Sequence, residues 1–411
     1  MKFTKMSLIT ALLIGSSAFA IDNIQVSGDA KLFYGTDDSA NSDLFSKEKA
    51  IGQSAFGLGI TADLKEGVTA GAHLTALTTL GLQTQLVNGV WEGTNGVDDS
   101  YWMDEAWLAT TKGKTTVKIG RMALDTPLVF SEDWSVATNT FESAVVINQD
   151  IKDTTFVGAY VGGSNGAIEK NHDKKDDNGN PALDDKGKQI KINKGFVVAD
   201  MNKNGTTNFS QFYHGAYAAG VVNNSFKPVT AQAWYYDATH VGTAYWLQAD
   251  LAMNGILAGL QYTGIDLDGV GAEASSAIAI MVGYELKDTV TAKISYSKVD
   301  KDADAGFNLS GSGMSKLYTE SWYTFKVSQK DTTAYNLTVE APIADIVDLG
   351  LYYTYADQDK ATGGNDMKEL TLTASKSFGS LDTSLAYVNT VSGNQDNDAV
   401  NTIQAFLTYN Y

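Results

Sequence analysis

Short segments of alternating apolar and polar residues follow one another along almost the whole chain. Val26, Gly28, Ala30, Leu32 and Tyr34 share one parity, and Gln25, Ser27, Asp29 and Lys31 share the other. Phe56, Leu58, Ile60, Ala62 and Leu64 repeat the pattern, as do Ile278, Ile280, Val282, Tyr284 and Leu286. A period of two with one apolar face is the signature of a β-strand. Counting such segments predicts about 18 strands, at 24–35, 53–65, 68–79, 104–112, 114–122, 142–151, 154–163, 208–221 and 227–239, then at 242–254, 256–267, 275–287, 289–299, 333–342, 346–357, 367–378, 381–391 and 401–411. Alternation is weak at 142–151 and 256–267, which makes about 16 the second count, since single-chain bacterial barrels have even numbers.

The connections fall into two kinds. Leu64–Val68, Thr111–Lys114, Leu286–Thr289 and Phe378–Leu381 are tight turns, whereas Asp37–Lys49, Leu80–Tyr101, Ala123–Phe141, Gly162–Asn208 and Lys298–Thr332 are long and polar. Short turns at one end and long loops at the other are the layout of an outer-membrane barrel. The less apolar strand faces, rich in Thr, Ser, Gln, Asp and Lys, would enclose water while the other faces meet lipid. The expected fold is therefore all-β: a transmembrane antiparallel β-barrel with short periplasmic turns and long extracellular loops. Only a closed barrel satisfies every strand's backbone at membrane depth.

The first twenty residues stand apart. Lys2 and Lys5 precede a short apolar core, Leu8–Gly15, and Ala18-Phe19-Ala20 forms an A-x-A cleavage site. That core is far shorter than the roughly 20 residues of a spanning helix, so residues 1–20 read as a signal peptide and 21–411 as the barrel.

Composition narrows the partners. The chain has no cysteine, so no disulfide supports it. Its net charge of −18, deepened by two when Lys2 and Lys5 leave, argues against nucleic acid. With 39 glycines, 20 tyrosines and 4 prolines it favours strands and turns over long helices. Tyr34, Trp102, Trp107, Tyr160, Trp234, Tyr235, Tyr236, Tyr245, Tyr352, Tyr353, Tyr355 and Tyr387 cluster near strand ends, as an interfacial girdle would. Ile403, Ala405, Leu407, Tyr409 and Tyr411 form one face of the last segment, where Phe406 breaks the polar face. Tyr409 and the terminal Tyr411 resemble the assembly signal that the barrel-assembly machinery reads in outer-membrane proteins.

Gly120-Arg121-Met122-Ala123-Leu124-Asp125-Thr126-Pro127-Leu128, leading to Asn139-Thr140-Phe141-Glu142, resembles the strand-to-loop passage of the OprD-like outer-membrane porin family. That family includes the epsilonproteobacterial type of major outer membrane porin. The resemblance implies an 18-stranded porin, often a homotrimer, with a loop at about 123–141 folded into the lumen. It also implies a bilayer and lipopolysaccharide setting. OprD-like specific channels resemble one another in an arginine ladder for carboxylate substrates, but Arg121 is the single arginine here. Its parity with Val117 and Ile119 aims it at lipid unless Gly120 marks a bulge. A water-filled channel for small hydrophilic solutes and ions therefore fits better than a substrate-specific one.

In such a channel the chemistry is a field across a constriction. Asp125, Glu132, Asp133 and Glu142 are the candidate acids, with Pro127 and Trp134 shaping the loop. Lys31, Lys118 and Arg121 are the candidate opposing cations, and the acidic balance predicts mild cation selectivity. No cofactor is expected. The run His172–Lys188 has carboxylates beside Asn-Gly, but its spacing misses the EF-hand pattern, leaving only loop-bound calcium as a weak candidate. No nucleophile motif surrounds His73, His172, His214 or His240, so an enzyme is not expected. A plugged barrel serving as a surface adhesin is the remaining alternative, and the 80–101 loop is a candidate latch onto a neighbouring copy.

Overall fold

The computed structural model describes residues 23–411 except 65–66, 79, 82–99, 134–135, 169–170, 174–190, 194–196, 199–208, 240, 269–272, 311–312, 345, 360–363 and 394–398. Seven strands come first: β1 (Gln25–Asp37), β2 (Ile51–Asp63), β3 (Val68–Thr78), β4 (Ser100–Lys112), β5 (Thr115–Met122), β6 (Phe141–Asn148) and β7 (Thr154–Ser164). They lead to β8 (Ser210–Asn223), β9 (Val229–Ala238), β10 (Gly242–Met253), β11 (Ile256–Leu267), β12 (Ser275–Leu286) and β13 (Val290–Val299). The circuit ends with β14 (Thr332–Ile343), β15 (Val347–Gln358), β16 (Met367–Phe378), β17 (Leu381–Ser392) and β18 (Ala399–Asn410). Each pairs antiparallel with its chain neighbour, and β1 pairs with β18, closing an 18-stranded sheet. Two small ribbons, 167–168 with 197–198 and 171–173 with 191–193, lie outside the barrel sheet.

The two weakly patterned strands are both present, which excludes the count of 16. On β6 the inward face carries Phe141, Val145 and Ile147, all buried, while Val146 on the outward face is also apolar. Both faces being apolar erases the alternation, because this part of the inner wall is covered by protein instead of water. On β11 the inward positions Gln261, Thr263 and Ile265 mix polar and apolar residues under the same cover.

Elsewhere alternation sorts the wall as expected. Phe56, Leu58 and Ile60 of β2 expose 43–51% of their surface outward, whereas Ala55, Gly57 and Gly59 are buried inside. Ile280, Val282 and Ile294 are similarly exposed, and no water-soluble fold would leave such a belt uncovered. The aromatics divide differently from the expected girdle. Tyr160, Tyr235, Tyr245 and Tyr353 are exposed on the outer face, with neighbours paired as Tyr160–Tyr217 and Tyr245–Tyr262. Trp102, Trp234 and Tyr236 are instead buried on inward positions, and Trp107 also faces inward. Their rings pack beneath loops inside the barrel, which is where the core sits.

The closing seam of β1 and β18 runs on to Tyr411. Tyr411 exchanges two backbone hydrogen bonds with Gly28, at 2.9 and 3.0 Å, and its hydroxyl donates to the Gly57 carbonyl at 3.1 Å. The ring lies directly against Gly28, where a Cβ would collide with it. Phe406 explains itself here, since it faces inward and packs on Phe33 of β1 at 4.6 Å between centroids. Deleting Tyr411 should cost about 2 kcal/mol of barrel stability, the worth of two net backbone hydrogen bonds. A urea titration followed by gel mobility of unheated protein would measure it.

Candidate pore constriction

Residues 123–133 leave β5 and enter the barrel, and 136–140 lead back to β6. Asp125 and Phe130 form an isolated antiparallel bridge, and Ser131 N–H donates to the Leu124 carbonyl at 2.7 Å, making a small hairpin with Pro127 near its tip. The tip reaches β9, where the Tyr236 hydroxyl accepts from Leu128 N–H at 3.3 Å. The returning limb places Val136 and Ala137 against Ala55, Leu77 and Trp102 on the inner face of β2–β4. One segment thus touches two separated parts of the wall and crosses the interior.

A second segment, 300–331, also turns inward, which its polar composition did not predict. Its Leu309 N–H donates to the Leu128 carbonyl at 2.8 Å. Asn308 grips the first loop: its Nδ2 donates to the Phe130 carbonyl at 2.8 Å and to Glu132 at 2.9 Å, and its Oδ1 accepts from Phe130 N–H. Lys316 pairs with Asp125 and lies over the Phe130 ring. The segment is held to the wall by Gln261 of β11 and by Glu369 of β16, which accepts from Tyr323 and Thr324 N–H.

Facing the loops is a charged strip on β1–β5. His73 of β3 hydrogen-bonds Asp104 through Nδ1 at 2.8 Å and approaches Asp29 at 3.7 Å through Nε2. Lys31 lies 3.5 Å from Asp29, and Thr75 donates to Asp104 at 3.0 Å. The pairing of β3 with β4 shifts register between His73 and Leu74. This bulge lets the consecutive residues Asp104 and Glu105 both face inward, which regular alternation forbids. Trp107 Nε1 donates to Glu105 at 2.8 Å, and the Lys118 ammonium sits over the Trp107 ring at 3.9 Å. Asp29, Lys31, His73, Asp104, Glu105 and Thr140 together border a cavity of about 230 Å³ beside the loop.

The family comparison agrees with this architecture. A sequence model described as Gram-negative porin matches residues 7–325. The chain belongs to that porin family. Its barrel is of the OprD type. It is similar to Pseudomonas aeruginosa OccK8 (OprE), with a TM-score of 0.70 and 14% identity over 96% of this chain and 99% of that one. It is also similar to Acinetobacter baumannii OccAB3, with a TM-score of 0.69 and 13% identity over 95% of this chain and 99% of that one. No curated protein matches its sequence. The porin is an outer-membrane channel, not a catalyst.

Within the porin, the seven residues singled out from sequence separate into three groups. Lys31, Lys118, Asp125 and Asp133 belong to the inner strip and the loop beside it. Glu132 is 2% exposed and serves as a buried acceptor for Asn308, so it staples two loops together and does not present its charge to the lumen. Arg121 and Glu142 pair with each other at 2.9 Å, directly opposite in the register of β5 and β6. Gly120 has a φ of +130°, yet pairing runs through it unshifted on both sides, so it makes no bulge. Arg121 therefore keeps the parity of Ile119 and stacks on Phe209 at 3.9 Å, which assigns the pair to the wall at the rim and not to the lumen-facing set. Trp134, His240, most of the 172–188 run and most of the 80–101 loop lie outside the described residues.

Asp29, His73 and Glu105 were legible in principle, because each shares the inward parity of its strand. Asp104 was not, since its orientation depends on the bulge. Burial pushes Glu320, on the second loop, up to about 8 against the donors Ser315 and Ser321.

Two outcomes follow for the loops. Asn308→Ala removes one bond to the buried Glu132 and two to the Phe130 backbone and should weaken the loop junction by about 2 kcal/mol, read in single-channel records as a rise of at least tenfold in current fluctuations. Glu320 has a folded value raised above its ordinary 4.5, so its stabilising effect is full below that value and is lost as pH climbs through about 8. Channel noise should increase above that pH in the native porin and stay flat in Glu320→Gln.

Proposed function

We propose that this porin is a general diffusion channel for small hydrophilic solutes and ions, with a mild preference for cations. The observation that carries the reading is the charge on the inner strip and its facing loop. Asp29, Asp104, Glu105, Asp125 and Asp133 stand there against Lys31, His73, Lys118 and Lys316. Lys316 pairs with Asp125, His73 with Asp104 and Lys31 with Asp29, which leaves Glu105 and Asp133 against Lys118, one carboxylate in excess. The excess of carboxylates sets the sign of the potential felt by a passing ion. A ladder of planar guanidinium groups for carboxylate substrates is excluded by composition, since the one arginine is Arg121.

The reading extends to maturation and assembly. Cleavage after Ala20, recognition of Tyr409 and Tyr411 by the barrel-assembly machinery, and association into homotrimers complete it. The apolar core before Ala20, the tyrosine pair beside the closing seam and the family likeness support these three in turn. Native gels of unheated protein would show a high-mass band for the trimer, and a monomer in mild detergent would remove it.

Planar-bilayer measurements under a KCl gradient test the central claim. Reversal potentials should favour K⁺ over Cl⁻, and Asp29→Asn with Asp104→Asn should reduce the permeability ratio about twofold, in line with loss of two fixed charges near the pathway. Anion selectivity in the native channel would overturn the proposal.

A further inference from the structure

On the opposite side of the first inward loop from the charged strip lies a second cavity, of about 370 Å³. Its walls come from three sources. Leu124 and Val129 belong to the 123–140 loop, Phe307 and Leu309 to the 300–331 loop, and Val161 and Ile265 to the inner faces of β7 and β11. The space exists because the inward positions of the intervening strands carry small side chains: Ala159, Ala216, Ala218 and Ala244. Leucine or phenylalanine at those positions would fill it with wall.

Three properties separate this cleft from a packing defect. It is bordered by Ala238, Val241, Gly242 and Leu267, at the ends of β9–β11 that carry the loops, so it lies at the loop end of the channel. It is within the size range of small-ligand sites, and like them it is mostly apolar with few polar groups, among them Thr126 and Ser310. Of its two charged lining residues, Asp237 has the outward parity of Tyr235 on β9, and Asp268 lies just past the end of β11 at the cleft; no lysine or arginine is among the rest. An anion finds no partner there, whereas an apolar body bearing a cationic end would meet both its surface and its charge.

We propose that the cleft is a capture subsite at the loop end of the channel for amphipathic cations, holding the aryl or alkyl body of a small primary amine. The proposal rests on the channel reading above and adds to it a site separate from the charged strip. Burial of the apolar body supplies affinity, since removal of apolar surface from water is the main driving force in such pockets. Asp268 supplies the choice of sign. The captured amine then faces a path whose next charged groups are again carboxylates in excess.

Single-channel recording in planar bilayers tests this with three probes: phenethylamine, 3-phenylpropionate and ethylamine. Phenethylamine added on the loop side should produce concentration-dependent interruptions of the K⁺ current, with at least fivefold less effect from the other side. Phenylpropionate shares the ring but not the charge, and ethylamine shares the charge but not the ring, so each should block at least fivefold less. Ala218→Phe should reduce the phenethylamine block about tenfold, counted per open channel, and Ala159→Leu serves where the first variant does not assemble. Equal block by phenylpropionate overturns the charge assignment, and equal block by ethylamine places the effect at the constriction and overturns the cleft. Normal K⁺ conductance without any amine block refutes this inference alone, whereas absence of conductance refutes the channel reading.

Discussion

A backbone amide in hydrocarbon has no water to turn to, and that single constraint organises the molecule. Each strand must be paired along both edges, so the first and last strands have to meet. Here they meet through nine paired positions from Asp29–Asn410 to Asp37–Thr402, and the ladder continues one residue further as Tyr411 bonds to Gly28. Once the sheet is closed, the two faces have different solvents, and alternation of side chains follows. The interior is then a tube whose shape the strands cannot vary much, and loops have to supply what the wall lacks.

The inward loops meet that need in two ways at once. They narrow the tube, and they also cover apolar stretches of inner wall around Phe141, Val145, Trp234 and Trp246 that would otherwise face water. Their own backbone is satisfied partly by short backbone bridges and partly by side chains. Tyr236, Asn308, Gln261 and Glu369 each bond loop amides, which is why so many polar side chains inside this barrel are buried and paired. The remaining charges, concentrated on β1–β5, are left to face the solute.

Much of this was legible in the chain and some was not. Period-two alternation revealed the strands, including the closing one, because lipid on one side and water on the other impose it directly. Where loops cover the inner wall that logic lapses, so β6 and β11 looked faint and tryptophans destined for the interior looked like girdle residues. The acids of the first loop could be placed near the lumen, but not Glu132's burial, which depends on Asn308 from a segment 176 residues later. Arg121 and Glu142 illustrate the value of strict parity: an unshifted ladder through Gly120 keeps them on the wall side. No reading of parity finds Asp104, because its position comes from a shift between two strands.

That shift has a consequence for how such a channel acquires its electrical character. Regular pleating limits each strand to one lumen-facing side chain in every two residues, so the fixed charge at any depth is bounded by geometry, whatever the composition. An extra residue in β4 opposite His73 lifts the bound locally and sets two carboxylates at nearly the same depth. Charge density at that level can thus change through a one-residue insertion or deletion, with strand number and closure left alone. In a barrel whose architecture is otherwise fixed by hydrogen bonding, such slips give conduction a means of diverging while the scaffold stays the same.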